Sequence, residues 1–429
     1  MSQRIGLHWF RHDLRLTDNE ALLTLAKQCE QVFALYVFEP QWRTENQWGF
    51  CHLGKHRRAF IESALSDLKK QLFALNIQLV VLEGEPTHLI NQVIQDNKVC
   101  TVSYELHAGI NERNQITALK DACKQDELEL KWIEGKSNYL YHESDLPFAL
   151  ENMPDTFSPF RRKVEKYAQV QAPSPVNIGA KESGRDIMVN QALNQYKFAN
   201  DAADLDQQYL GGESAALARL DDYFFGNDGI ATYKETRNGL DGWNFSSRFS
   251  AFLAHGCISP RFINHRLEEY EAQRVANDST YWLFFELLWR EFFHWQHIKH
   301  GAMFFASKGI QGKPPSTVFD AQTFEKWCAG ETGHDIVDAC MKQLNASGFM
   351  SNRGRQLVAS CFVHELNLDW RYGAAYFEQQ LVDFDVASNW GNWQYLAGVG
   401  SDPRGHRQFN LQKQTGTYDP QRRFIQAWQ

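Results

Sequence analysis

Residues 279–300 read STYWLFFELLWREFFHWQHIKH, with Trp282, Glu286, Trp289, Arg290, Phe293 and His297 at helical spacing on one stripe. Glu286 and Arg290 are four residues apart, the spacing of an intrahelical ion pair. A charged pair among so many rings is costly to desolvate unless a polar partner, such as a ligand in a cavity, completes it. A buried helix with an internal ion pair and a ligand-facing wall both fit this spacing. GFMSNRGRQ at 348–356 sets Asn352, Arg353, Arg355 and Gln356 after a glycine. All four donate several hydrogen bonds, although a solvated basic turn has the same composition. DFDVASNWGNWQY at 383–395 places Asp383, Asp385 and Asn389 ahead of Trp390, Trp393 and Tyr395. A DxD pair with Asn389 could hold a divalent cation, but tryptophans beside the carboxylates suit a planar heterocycle better. In NFSSRFS (244–250), Ser246, Ser247 and Ser250 stand where they would cap a helix whose free amides could cradle phosphate. His52 and His56 in CHLGKH are four apart, yet nothing nearby completes a zinc site. No metal is expected. GxSxG, HExxH and Walker patterns are absent, so ordinary hydrolase or kinase chemistry is not signalled.

The elements that must position these residues fall into two kinds. Short apolar runs at 4–10, 31–39, 77–84, 99–105 and 128–135 read as strands, and helical patterns fill 18–28, 54–75, 86–96 and about 110–125. Asp18 and Pro86 stand where a helix cap and a first helical turn belong. Such alternation indicates an α/β, doubly wound parallel sheet over 1–135, a Rossmann-like scaffold without the GxGxxG loop. A proline-rich, aperiodic connector follows over 136–215, with a short helix near 158–169. From 216 to 429 the patterns are all helical. The 429 residues suffice for two or three domains. Hydrophobic residues at 43% and charged residues at 22% indicate a globular protein. A net charge of −8 argues against a broadly basic nucleic-acid-binding surface, so any such site must be a local patch. The eight cysteines form no CxxC pair and read as reduced thiols. With no signal-peptide pattern and no run long enough to span a bilayer, a cytoplasmic protein is expected, with no membrane contact. The 13 tryptophans suit a protein that binds a planar ligand or moves electrons.

Taken together, HWFRHDLRLTDNEAL (8–22), YHESDLPFALENMPDTFSPFR (141–161), TYKETRNGL (232–240), ANDSTYWLFFELLWREFF (276–293), GFMSNRGRQ and DFDVASNWGNWQYLAGVGSDPR (383–404) resemble the cryptochrome/DNA photolyase family. The mid-chain segments resemble its DASH branch. The resemblance implies an antenna domain, a linker and a helical domain holding FAD. Carried over, Tyr233, Ser246, Ser247 and Ser250 hold the FAD phosphates. Arg290, Asn352, Asp383, Asp385 and Asn389 surround the flavin and ribityl groups, with Arg355 paired to Asp383. Asn389 abuts the flavin's central ring nitrogen, where dimer-splitting photolyases also carry Asn. Glu286, Trp289, Gln356 and Tyr395 line a pocket for a flipped-out pyrimidine dimer, and Arg353 contacts DNA. Gln356 and Tyr395 replace the Met and Trp of many duplex-acting relatives. These less stacking walls repay extrusion from a duplex poorly and favour single-stranded DNA. The implied activity is blue-light repair of cyclobutane pyrimidine dimers, one electron passing from reduced flavin to the dimer and back, with protonated Glu286 beside it. The (6-4) lesion is not expected, since no His stands near Asn352.

The resemblance also implies a tryptophan relay. Trp393 and Trp370 match its inner and middle members, but Thr317 occupies the outer position, so photoreduction is expected either to be slower or to leave through another aromatic such as Phe324 or Tyr376. Glu112, within INERN, resembles the carboxylate that contacts a methenyltetrahydrofolate antenna, although a helix-start glutamate has the same appearance. A DNA-facing patch would draw on Arg353, Arg404, Arg407, Arg422 and Arg423. YDPQRRFIQAW resembles the family's last helix, so no signalling tail is expected after it. The competing functional reading is a blue-light photoreceptor regulating transcription without turnover. A dark flavin oxidoreductase lacks a recognisable nicotinamide site.

Overall fold

Five β-rich runs of the first third form strands β1 (Ile5–Trp9), β2 (Gln31–Phe38), β3 (Gln78–Glu83), β4 (Thr101–Glu105) and β5 (Lys131–Gly135). They pair in parallel in the order β3-β2-β1-β4-β5. The computed structural model describes residues 4–429 apart from 177, 180, 182–186, 189–194, 199–208, 314 and 403–406. Parallel pairs need crossovers, which are α1 (Glu20–Gln28), α2 (Lys55–Phe73), α3 (Pro86–Asn97) and α4 (Ile110–Gln125). β2 is buried along its whole length, as a strand covered on both faces must be. The winding reverses at β1, so the loops after β1 and β4 diverge and open the crevice typical of such sheets.

Pro86 opens α3 as the sequence indicates, with the Glu85 carboxylate accepting from the amides of Thr87 and His88. At α1 the cap is Asn19, not Asp18: Asn19 Oδ1 accepts from Leu22 N at 3.0 Å. Asp18 is drawn away by the helical half of the chain. Its buried carboxylate pairs with Arg261 at 2.6 Å and accepts from the Ser259 hydroxyl.

The connector carries α5 (Phe157–Tyr167) and packs inward, with Tyr139, Tyr141, Phe157 and Phe160 buried in one core with Leu287, Leu288 and Phe292. The remaining helices are α6 (Glu213–Asp221), α7 (Tyr233–Thr236), α8 (Ser250–Ala254), α9 (Pro260–Gln273), α10 (Asp278–His300) and α11 (Ala321–Ala329). They continue as α12 (Asp335–Ser347), α13 (Asn352–Ser360), α14 (Trp370–Gln380), α15 (Val386–Leu396), α16 (Leu411–Tyr418) and α17 (Arg423–Ala427). The central helix, α10, starts in a capping box made by Asn277 and Thr280. Glu291 ties its middle to the connector, accepting from the amides of Leu140 (3.0 Å) and Tyr141 (3.3 Å). Among the described residues no helix is long and apolar enough to cross a membrane.

Candidate functional site

A cavity of about 270 Å³ lies among α10, α13, α15 and the 239–250 segment. Tyr233, Ser246, Ser247, Ser250, Glu286, Asn352, Arg355, Gln356, Asp383, Asp385, Asn389 and Trp393 all line it. Four segments distant in sequence thus converge on one space.

Its two aspartates are already committed, which leaves no open DxD cation site. Arg355 Nη2 bonds both Asp383 oxygens at 2.9 and 2.8 Å, while its Nε donates to Met350 O. Asp385 caps α15 by accepting from Ser388 N at 2.7 Å, and its other oxygen meets His294 Nε2 at 2.8 Å. Burial alone would raise the Asp385 carboxyl, but His294 and Arg290 outweigh it and hold it well below the usual range. Burial pushes His294 itself down to about 4, so at neutral pH the ring is uncharged and donates from Nε2. Asn389 spends one amide hydrogen on Ala374 O at 3.0 Å, which fixes the amide plane at the cavity wall.

The serine segment differs from the sequence reading. Phe249, not a serine, precedes α8, and no side chain caps it. Arg248 adopts a left-handed φ of 63°, which turns the chain at the cavity wall ahead of the helix. Buried Arg219 braces the turn by donating to the carbonyls of Ser246 (3.0 Å) and Ser247 (3.1 Å). Arg248 lines the cavity, lies over the Phe349 ring at 3.8 Å, and leaves Nη1 buried without a partner. An orphaned cationic donor at the cavity wall, beside the serines that line it, suits a pyrophosphate. Paired carboxylate and guanidinium, amide and aromatic walls suit a polar heterocycle. The residues fit FAD.

The Glu286–Arg290 pair that the spacing permits does not form. Glu286 turns to Arg237, a cavity residue that sequence reasoning missed, and accepts from Trp282 Nε1 at 3.1 Å. Arg290 lies off the cavity and donates to Asn138 O at 2.8 Å. Each charge found a better partner on another segment than one turn along its own helix. Burial raises the Glu286 carboxyl, with Arg237 and Trp282 pulling the other way.

Gln356 lines the cavity with Glu286, whereas Trp289 and Tyr395 do not. Trp289 stacks on Phe157 at 3.7 Å, and Tyr395 lies under Arg407 at 4.6 Å. Arg353 donates to Asn238 Oδ1 at 3.2 Å and lies over Tyr418 at 4.7 Å. Arg407 pairs with Asp402, and Arg422 with Asp335, so much of the expected basic patch is neutralised. Arg404 lies outside the described residues. Trp370 is fully buried behind the cavity, and Thr317 is partly exposed. His52 bonds Glu378 at 2.6 Å while His56 bonds Asn345 O, so this histidine pair faces two different partners.

A second polar cluster sits where the loops after β1 and β4 diverge. Glu112, in the first turn of α4, lies 3.8 Å from His12 and 3.7 Å from His107. Burial would raise its carboxyl, but the two imidazoles draw it well below the usual range. Around it, Arg11 Nε, Arg113 Nε, Arg290 Nε, the Tyr139 hydroxyl, His294 Nδ1 and both His297 nitrogens are buried without partners. So many orphaned groups in one place are costly without a ligand or water to satisfy them.

The family model described as the FAD binding domain of DNA photolyase matches residues 282–429, and the DNA photolyase model matches 6–177. The chain is 47% identical over 425 residues to a cryptochrome DASH of Idiomarina loihiensis, covering 99% of this chain and 92% of that one. It is 44% identical over 443 residues to a cryptochrome DASH of Vibrio parahaemolyticus, covering 100% and 94%. Among solved structures, the Synechocystis sp. PCC6803 cryptochrome superposes with a TM-score of 0.93 at 38% identity, covering 100% of this chain and 89% of that one. A class III photolyase from Agrobacterium tumefaciens gives a TM-score of 0.82 at 27% identity, covering 100% and 87%. With this match along nearly its whole length, a five-stranded parallel sheet in its first third and a cavity fitted to FAD among its later helices, the chain belongs to the DASH cryptochromes of the cryptochrome/DNA photolyase family.

Proposed function

We propose that the chain repairs cyclobutane pyrimidine dimers in single-stranded DNA under blue light. The observation that carries this reading is the shared cavity: Glu286 and Gln356 face the same space as Asn389, Asp383 and Arg355. FAD bound there supplies the electron. The protein's own residues do the rest. Arg355 and Asp383 fix one another, Asn389 is oriented by Ala374, and Glu286 sits raised toward its protonated form where a dimer's carbonyl oxygens would arrive. Gln356 sets a polar group at the cavity wall where many duplex-acting relatives carry an apolar Met, so the wall grips the dimer less and little energy repays extrusion from a duplex. The test compares repair of one defined thymine dimer in matched single- and double-stranded oligonucleotides by reduced, FAD-loaded protein. Light-dependent repair of the single strand alone is expected. Equal rates on both would refute the strand preference.

The second cluster supports a methenyltetrahydrofolate antenna. The Glu112 carboxylate suits the amino and ring N–H donors of a pterin, and Arg11, Arg113 and Arg290 suit its acidic tail. Denatured protein is expected to release a pterin, and Glu112→Gln to release far less. Equal pterin content in the two would remove Glu112 from that role.

A further inference from the structure

We propose that Trp48, on the loop between β2 and α2, is the solvent-side end of a tryptophan path that refills Trp393 with electrons through Trp370 and Trp390. The inference rests on the flavin reading of the cavity.

Trp393 walls the cavity and is buried. Its ring rests on Gly373, where an added Cβ would fall 2.3 Å from Cη2. One turn earlier on α14, about 5 Å along the axis, stands Trp370. The Trp370 ring lies 5.8 Å from Trp390, and Trp390 lies 5.2 Å from Trp48. Three successive indoles therefore lead from beside the cavity wall to a partly exposed ring. Thr317, by contrast, offers no oxidisable ring.

A competing branch leaves Trp393 for Trp327 at 6.2 Å and Tyr376 at 5.6 Å. It ends badly for charge separation. Tyr376 is 7% exposed, and its hydroxyl donates to Asn345 Oδ1 at 2.6 Å and to Cys328 O. Oxidising a phenol requires it to lose the hydroxyl proton, and neither amide oxygen is basic enough to keep it. Trp390 is no resting place either, because its Nε1 is buried without a partner to take a proton. Trp48 alone on its branch meets solvent.

One electron leaves Trp393 for the oxidised flavin; Trp370, Trp390 and Trp48 then each refill the indole before them. Trp48, one electron short, loses its indole proton to water and becomes a neutral radical. One electron and one proton from a small thiol in solution restore it, leaving a thiyl radical.

The test is flash photolysis of the FAD-loaded, oxidised protein without thiol, read as the transient absorbance of the neutral tryptophan radical. Peptide mass spectrometry after prolonged illumination locates the oxidised tryptophan. The wild type is expected to form a long-lived radical and oxidation at Trp48, both lost in Trp48→Phe and Trp390→Phe and both kept in Trp327→Phe. Flavin content and melting temperature, measured beside these, must match the wild type for each variant. An unchanged radical in Trp48→Phe, or its loss in Trp327→Phe, would overturn the path. Repair by chemically reduced Trp48→Phe separates the two readings: it should equal the wild type. Absence of repair in both proteins, with the radical at Trp48 intact, would count against dimer repair and leave the path standing.

Discussion

Asp383→Asn is expected to leave the protein nearly free of FAD after purification. The Asp383 carboxylate is almost wholly enclosed at the cavity wall, and both its oxygens bond Arg355 Nη2. Breaking such a pair from one side leaves Arg355, itself partly exposed, without its partner, at a cost of up to about 3 kcal/mol. Much of that cost falls on the ligand-binding surface, because Arg355 also lines the cavity. About 3 kcal/mol corresponds to roughly a hundredfold rise in Kd for FAD. Flavin absorbance per protein and titration of the apoprotein with FAD measure it. A second variant separates binding from folding: with Arg355→Gln added, the two losses should overlap rather than sum, since one pair is lost in either case. Wild-type FAD affinity in Asp383→Asn would show that the pair does not organise the cavity.

Glu286→Gln is expected to lower the light-driven repair rate about tenfold, the size of one hydrogen bond involving a charged group, about 1.5 kcal/mol. Gln keeps the shape and can still accept from Trp282, but it carries no transferable proton. The sign of the pH dependence follows from the raised carboxyl. A raised group stays protonated to higher pH than an ordinary glutamate, so repair should be fastest below its pKa and fall as pH rises through it. The Gln variant should lose that fall. Arg237 limits the pH range by favouring the charged form, so Arg237→Met should shift the fall to higher pH. Full repair by Glu286→Gln with an unchanged pH profile would remove Glu286 from the chemistry.

The sheet was legible because strand and helix periods alternate cleanly over the first third, and the Pro86 start reads directly from local chemistry. Asp18 and Asn19 show the limit of such reading. Both can cap a helix, and the choice between them is made by Arg261, more than two hundred residues away. Glu286 and Arg290 show the same limit within a helix. Spacing permits their contact, but Arg237 and the Asn138 carbonyl compete for them from other segments. The convergence of the 244–250, 348–356 and 383–395 segments on one cavity came from resemblance rather than from periodicity. Arg219, Arg237 and Arg248 left no sequence signal. Each is an isolated cation whose importance lies in what the fold sets beside it, the Ser246 and Ser247 carbonyls for Arg219 and the Phe349 ring for Arg248.

Whether the cavity repairs DNA is decided by loss of a single thymine dimer from a single-stranded oligonucleotide, followed with reduced, FAD-loaded protein in blue light and in darkness. Restoration of the two thymines in light and none in darkness is the predicted result. No repair in light, by protein that holds a full complement of reduced FAD, would contradict it and assign the cavity to light sensing without turnover.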